Sequence, residues 1–350
     1  MKKIDIRNLG IEDLTKFIEK NGDKAFRAKQ IHEWFWNKGA RSFDALKNIP
    51  KSLIEKLIEN FSFPVLEIHE IQKSTDGTAK FTFISEDKKL TEGVLIPSLK
   101  RVTACISTQV GCPLGCKFCA TGQLGFDRNL SAGEIFDQIT LMQSYALETY
   151  ENPISNIVIM GMGEPLLNLD ACTDAIQKLI SPIYKGMSPK RITLSTVGLC
   201  DGIYTLADMQ LGIELAISLH SAIQSERERL IPAAKLNPLS EITDALKYYH
   251  QKTDQRVTIE YVLLKDVNDQ AIHSRTLAEF CKSIPVKINI IEFNPTEGIP
   301  YSKSDDKVRA EFAAFLESKN LIVNVRKSRG KDIAAACGQL AGKITKSDEI

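Results

Sequence analysis

Val102-Thr103-Ala104-Cys105-Ile106-Ser107-Thr108-Gln109-Val110-Gly111-Cys112-Pro113-Leu114-Gly115-Cys116-Lys117-Phe118-Cys119 joins two kinds of sequence. The stretch 102–108 is rich in β-favouring residues and reads as a strand. Directly after it, Cys112, Cys116 and Cys119 form a C-x3-C-x2-C loop. Such a loop wraps three thiolates around one centre. A structural zinc asks for four closed ligands, usually as two knuckles, and no second CxxC occurs in the chain. An iron–sulfur cubane has four iron corners, so three cysteines leave one iron open to a substrate or cofactor. Three unmetallated thiols are the remaining option.

After residue 100 the pattern is regular. Strand-like runs at 102–108, 157–160, 191–196, 213–219, 256–264 and 286–293 alternate with helix-like runs at 131–147, 170–179, 202–209, 240–252, 269–283 and 303–318. Ser131-Ala132-Gly133-Glu134 is a capping box and marks the start of the first helix. Strand and helix alternating at this spacing mean parallel strands with helical crossovers. Six units predict an α/β fold, a partial (β/α)6 barrel. A last strand is expected over 321–325 and a frayed end after it.

Upstream, the period changes twice. Residues 64–98 alternate, with Asp76-Gly77 as a hairpin signal, and read as a short antiparallel lead-in. Residues 1–62 read as a small helical head carrying Trp34, Phe35 and Trp36. Its first sixty residues hold 13 Lys/Arg against 9 Asp/Glu, which fits a solvated helical face. The expected organisation is therefore head 1–62, β-hairpin lead-in 63–100, barrel 101–320 and a C-terminal strand and loop 321–350.

Composition excludes several classes. The 350 residues are 43% hydrophobic, which is too apolar for a disordered chain and long enough for a large core. No apolar run of membrane-spanning length and no signal-peptide pattern occurs, so no membrane role and a cytoplasmic setting are expected. There the eight cysteines stay reduced and read as ligands or reactive groups rather than staples. The net charge of +1 exerts no global pull on nucleic acid, so any basic surface for it is local.

Functional residues of a βα barrel sit at the C-terminal ends of its strands. Those ends read Met160-Gly161-Met162-Gly163-Glu164-Pro165, Leu194-Ser195-Thr196, Ser218-Leu219-His220 and Phe293-Asn294-Pro295. Each alone is ordinary turn chemistry. Together on one rim with the cysteine loop they favour a ligand site, with Glu164 suited to an ammonium group.

The cysteine loop with Phe118 before its last Cys resembles the radical S-adenosylmethionine (SAM) superfamily. Gly111 through Gly122, Gly161 through Pro165, Ser218-Leu219-His220 and Ala336-Cys337-Gly338-Gln339-Leu340 narrow the resemblance to the RlmN type of the RlmN/Cfr family, over essentially the whole chain. The resemblance implies methylation of adenosine carbon 2 in 23S rRNA, at the peptidyl-transferase centre, and of the adenosine 3′ of the anticodon in some tRNAs. The Cfr type methylates carbon 8 instead, and Pro165 resembles the RlmN type more. A zinc-bearing RNA-binding protein without catalysis is the reading from another class.

Residue roles implied by the resemblance are as follows. Cys112, Cys116 and Cys119 hold a [4Fe-4S] cluster. Gly163, Glu164, Ser195, Ser218, Leu219, His220 and Asn294 line the SAM site. Cys337 carries the methyl group, with two SAM used per turnover. Cys105 attacks the Cys337 sulfur to release the RNA, and Glu92 is the proton acceptor. The helical head at 1–62 resembles the family's RNA-binding extension, and an electron donor of the flavodoxin type and a monomeric protein complete the expectation. By packing alone, Cys337 and Cys105 read as small buried residues and Glu92 as a surface carboxylate. Cys172, Cys200 and Cys281 lie in or beside apolar helical segments and stay structural. Arg326, Lys327, Arg329 and Lys331 precede Cys337 and are expected near RNA phosphate. Lys185, Lys190 and Arg191 are further candidates for such contacts.

Overall fold

The computed structural model describes residues 3–341, and the expected frayed end beyond them lies outside the described residues. One ten-stranded sheet organises the chain. Its strands are β1 (Glu67–Lys73), β2 (Ala79–Ile84), β3 (Leu90–Ser98), β4 (Arg101–Cys105), β5 (Ile154–Ile159), β6 (Ile192–Thr196), β7 (Glu214–Ser218), β8 (Val257–Leu263), β9 (Val286–Glu292) and β10 (Ile322–Arg326). They lie side by side in chain order. β1 to β4 form an antiparallel meander, and β4 to β10 are parallel. The predicted partial barrel is present, and the last strand adds a seventh parallel member to it. The antiparallel lead-in is hydrogen-bonded into the same sheet through β3 and β4.

Helices α4 (Ala132–Tyr150), α5 (Leu169–Ile180), α6 (Cys200–Met209), α7 (Leu239–Thr253), α8 (Ala271–Cys281) and α9 (Asp306–Glu317) make the crossovers, following the head helices α1 (Ile11–Lys20), α2 (Phe26–Trp36) and α3 (Lys51–Asn60). The capping box at Ser131 forms as read: its Oγ accepts from the Glu134 N–H at 3.2 Å, and the Glu134 carboxylate accepts from the Ser131 N–H at 2.9 Å. Strand side chains alternate between two environments. Leu194, Leu215, Ile217, Ile259, Ile288 and Ile290 are fully buried in the main core. Ser195, Ser218, Glu260 and Ile291 face the barrel interior, which is consequently polar enough to receive a ligand.

Two boundaries moved for physical reasons. The first barrel strand, expected to 108, ends at Cys105, because the chain turns there to bond the next strand's end: the Thr108 N–H donates to the Met162 carbonyl at 2.9 Å. The last helix starts at Asp306 rather than 303, because Lys303 is bridged to Leu264.

The head is fastened to the barrel by a buried charge cluster. Arg7 donates to Asp137 of α4 at 2.8 Å, pairs with Asp5 and reaches the Pro64 carbonyl. Gly133 permits this, since a Cβ there would stand 2.4 Å from the Arg7 guanidinium carbon. Trp36 packs edge-on against Phe136 of α4, with ring centroids 5.0 Å apart.

Candidate active site

The cysteine loop is held by its flanks. Gln109–Gly111 pairs antiparallel with Phe126–Asn129. Gly111 has φ +76°, and a Cβ there would lie 2.0 Å from the Gly125 carbonyl oxygen, so only glycine closes this clasp. The Cys112 N–H donates to that same carbonyl at 2.8 Å. Cys112, Cys116 and Cys119 then line one cavity in the barrel mouth, all as free thiols. Burial pushes the Cys112 thiol up to about 12 and Cys116 well above its ordinary value. Among the described residues no three His, Cys, Asp or Glu side chains converge as closely as a single metal ion requires.

The rim residues meet at the same cavity. Gly163, Glu164, Ser195, Ser218 and His220 all line it. Gly163 has φ +105° and would, with a Cβ, strike the Gln109 side chain at 2.7 Å. Glu164 accepts from the N–H groups of Leu166 at 3.0 Å and Val197 at 2.9 Å. None of the ion pairs among the described residues includes it, and burial pushes its carboxyl up to about 7. The Ser195 and Ser218 hydroxyls lie 3.3 Å apart. His220 adopts φ +57°, accepts on Nδ1 from the Val262 N–H at 3.0 Å and so keeps its proton on Nε2. Burial pushes it down to about 3, and its ring meets Phe118 edge-on at 4.7 Å. Leu219 sits in the main core, with only its backbone at this edge. Asn294 lies just behind the wall: its amide donates to the Cys337 carbonyl at 3.4 Å, and its buried Oδ1 has no partner.

Cys337 reaches this place because the segment after β10 folds back across the barrel mouth. The Ala120 N–H donates to the Gly338 carbonyl at 2.8 Å, and the Thr121 hydroxyl to the Leu340 carbonyl at 2.7 Å. Asp332 accepts from the Ser74 hydroxyl at 2.5 Å and the Thr75 N–H at 3.0 Å, tying the segment to the β1–β2 turn. Cys337 is exposed on the wall of the cysteine-loop cavity and also lines an adjoining one with Cys105. Met160, Gly161, Cys119 and Arg326 belong to both cavities. Burial pushes Cys105 up to about 12, with the Arg326 guanidinium opposing that rise. Glu92 does not line either cavity. It is 1% exposed, pairs with Lys80 at 3.6 Å and accepts on Oε2 from the Ala341 N–H at 2.8 Å.

Arg326 and Glu260 are the participants the sequence reading missed. Arg326 stood in a basic run expected near phosphate, yet its guanidinium is 3.5 Å from Glu260 and faces both thiols' cavities. Its position at the end of a predicted strand was the available signal. Of the same run, Lys331 is paired with Glu292 at 2.7 Å and Arg329 lies 3.9 Å from Asp76, while Lys327 and Arg329 are exposed at the cavity beside Cys337. Lys185 is turned back to the head, donating to the Asn37 carbonyl at 3.0 Å. Cys172, Cys200 and Cys281 are buried in the main core as expected.

An open parallel barrel whose first strand delivers a three-thiol loop into its mouth, opposite a buried unpaired carboxylate, defines the radical SAM class of enzyme. Comparison with known proteins agrees. Residues 106–275 match the family model "Radical SAM superfamily", and residues 4–62 match "Ribosomal RNA large subunit methyltransferase N-terminal domain". A crystal structure of a radical SAM methyltransferase from Sphaerobacter thermophilus superposes with a TM-score of 0.91 at 35% identity, covering 97% of this chain and 100% of that one. The probable dual-specificity RNA methyltransferase RlmN of Christiangramia forsetii is 44% identical over 98% of this chain and 97% of its own length. The dual-specificity RNA methyltransferase RlmN of Nitratidesulfovibrio vulgaris is 42% identical over 96% and 94%. The chain belongs to the RlmN family of radical SAM, dual-specificity RNA methyltransferases. Among the described residues no helix is long and apolar enough to cross a membrane.

Proposed function

We propose that this methyltransferase acts on carbon 2 of adenosine in 23S rRNA, at the peptidyl-transferase centre, and of the adenosine 3′ of the anticodon in some tRNAs, with Cys337 as the methyl carrier. One observation carries the reading: Cys337 stands where two cavities join, one lined by Cys112, Cys116, Cys119 and the rim residues, the other by Cys105. The residues present fit the cofactors. Three free thiols share a cavity with a buried carboxylate that lacks a cation, and the neighbour of the lining residue Phe293, Asn294, has a buried Oδ1 without a partner. Cys112, Cys116 and Cys119 would hold a [4Fe-4S] cluster. Gly163, Glu164, Ser195, Ser218, Leu219, His220 and Asn294 would receive SAM, Glu164 through its ammonium. When bound, cluster and SAM supply a methyl group and, from a second SAM, a 5′-deoxyadenosyl radical.

The chain's own residues do the rest. The Cys337 thiolate accepts the methyl group in a nucleophilic displacement. That methyl group gives up one hydrogen atom, and its carbon bonds to carbon 2 of the adenine, tying protein to RNA through sulfur. The adduct radical loses one electron, for which the bound cluster would be the acceptor, and Glu92 takes the carbon-2 proton. Cys105, across the shared cavity, attacks the Cys337 sulfur as thiolate, so that an S–S bond forms as the S–C bond breaks and the released carbon takes up a proton to become the methyl group. Lys327 and Arg329, exposed beside Cys337, are placed to meet RNA phosphate. The target adenosine must be unstacked to present carbon 2. A flavodoxin-type protein would deliver the electron to a monomeric, cytoplasmic enzyme.

Nucleoside mass spectrometry of rRNA and tRNA, with and without the protein, tests the assignment. We expect 2-methyladenosine in both RNAs, and finding only 8-methyladenosine would overturn it in favour of the carbon-8 chemistry. Anaerobic reconstitution should yield a brown protein with about four irons. A colourless zinc protein would instead return the non-catalytic reading.

A further inference from the structure

Lys80 has no surface role to explain it. It is 7% exposed, on the second strand of the meander, and its ion-pair partner is Glu92. The register shows how they meet. Thr82 faces Glu92 and Lys80 faces Val94 across β2 and β3, so Lys80 and Glu92 are diagonal neighbours on one face. Val94 in turn faces Cys105 on β4. The opposite face carries Phe81 and Phe83 into the main core. The Lys80 face instead lies beneath the folded-back C-terminal segment, where Val94, Ala335 and Leu340 pack together.

Around the Glu92 carboxylate the groups are few. Lys80 approaches Oε1 at 3.6 Å from β2, and the Ala341 N–H reaches Oε2 at 2.8 Å. The Ser107 hydroxyl is spent on the Glu92 backbone carbonyl at 2.6 Å. Cys105 is the titratable group on β4 along the same face, and Arg326 and Cys337 lie across its cavity. Leu340 lines that cavity while the next residue's amide closes on Glu92. The carboxylate therefore stands one residue behind the cavity wall. For Glu92 to reach an adenine, the Ala341 bond must open, and a buried carboxylate then loses a donor.

We propose that Lys80 is a positioning residue that keeps the Glu92 carboxylate oriented when the Ala341 amide withdraws. This rests on the reading of Glu92 as the proton acceptor. A buried carboxylate left without a cation or donors is costly to hold in place. An ammonium diagonal to it on the same face of the sheet keeps one carboxylate oxygen engaged while the other is released.

Lys80→Met, Lys80→Arg and Glu92→Gln test this in the reconstituted full chain, with methylation of Cys337 read by intact-protein mass and RNA methylation read by nucleoside mass spectrometry. Lys80→Met should still form methyl-Cys337, which shows an intact fold and SAM site. Its RNA methylation should fall about tenfold or more, the factor carried by one lost charge-assisted contact. Lys80→Arg should restore most of the rate. A Lys80→Met enzyme with the parent's rate of RNA methylation overturns the proposal, as does one that also fails to form methyl-Cys337. Glu92→Gln should be inactive on RNA. If it methylates RNA normally, the proton-acceptor reading fails instead, which separates the two.

Discussion

Replacing Glu164 by Gln removes one negative charge from the wall of the cysteine-loop cavity, where SAM is proposed to bind, and little volume. The parent carboxylate accepts from the Leu166 and Val197 N–H groups at 3.0 and 2.9 Å, and burial pushes it up to about 7 because no cation answers it. A bound ammonium would answer it, in a charge-assisted contact of about 1.5–3 kcal/mol. Losing that contact corresponds to roughly a 10- to 150-fold rise in Kd for SAM. The glutamine also turns an NH2 toward one of the two N–H donors, so the upper part of the range is expected. The pH dependence has a definite sign. A carboxyl with a raised value binds a cation fully above that value and progressively loses it as pH falls, so the parent's SAM affinity should weaken below about pH 7. The Glu164→Gln protein has nothing there to titrate, and its affinity should be flat over the same window. Equilibrium dialysis of labelled SAM against the anaerobically reconstituted proteins measures both. An unchanged Kd in Glu164→Gln, or a parent affinity flat from pH 8 to 5, refutes the ammonium role.

Four other outcomes are expected. Cys337→Ala should bind SAM but give no methylated nucleoside by mass spectrometry. Cys105→Ala should accumulate a covalent protein–RNA adduct visible on a denaturing gel, and freely released methylated RNA would refute its releasing role. Gly111→Ala, whose Cβ would stand 2.0 Å from the Gly125 carbonyl oxygen, should open the clasp around the cysteine loop and lower the iron content per chain on reconstitution. Arg7→Met leaves Asp5 and Asp137 buried and unpaired, a loss of about 3–5 kcal/mol. At the usual unfolding entropy per residue that is a Tm drop of about 4–7 °C by calorimetry, and an unchanged Tm would show the cluster does not fasten the head.

Much of the barrel was legible because its signals are local. The alternation of runs after residue 100 survives as seven parallel strands with helical crossovers, and Asp76-Gly77 forms its turn with Gly77 at φ +85°. Ser131 and Glu134 cap the helix they were read to cap. Short helices escaped notice. Gln224–Leu230 is one such element, and it buries Arg227 with its guanidinium bonded to the Val197 carbonyl beside the rim. A seven-residue helix offers too few turns for periodicity to register.

The basic run before Cys337 shows the other limit. In sequence its four cations look alike, but Arg326 ends a strand and turns inward to Glu260, while Lys331 and Arg329 stay exposed beside Glu292 and Asp76 and Lys327 remains outward. Which cation faces solvent depends on strand register and on acidic partners far away in the chain. Glu92 shows the same thing: a carboxylate that would default to the surface is almost wholly enclosed by Lys80 and Ala341.

From the sequence alone came the three-cysteine loop, the open barrel and the glycine- and serine-bearing strand ends, since each rests on spacing within a few residues or on a repeated period. Tertiary structure alone decided that Cys105 and Cys337 share a cavity, that Arg326 faces them both and that Lys80 reaches Glu92. The first two join β4, the edge strand β10 and the returning C-terminal segment, and the last is set by the register of β2 against β3. Pairing over such distances leaves no periodic trace in a chain, because it is set by which strands lie side by side and by how the last segment folds back over them.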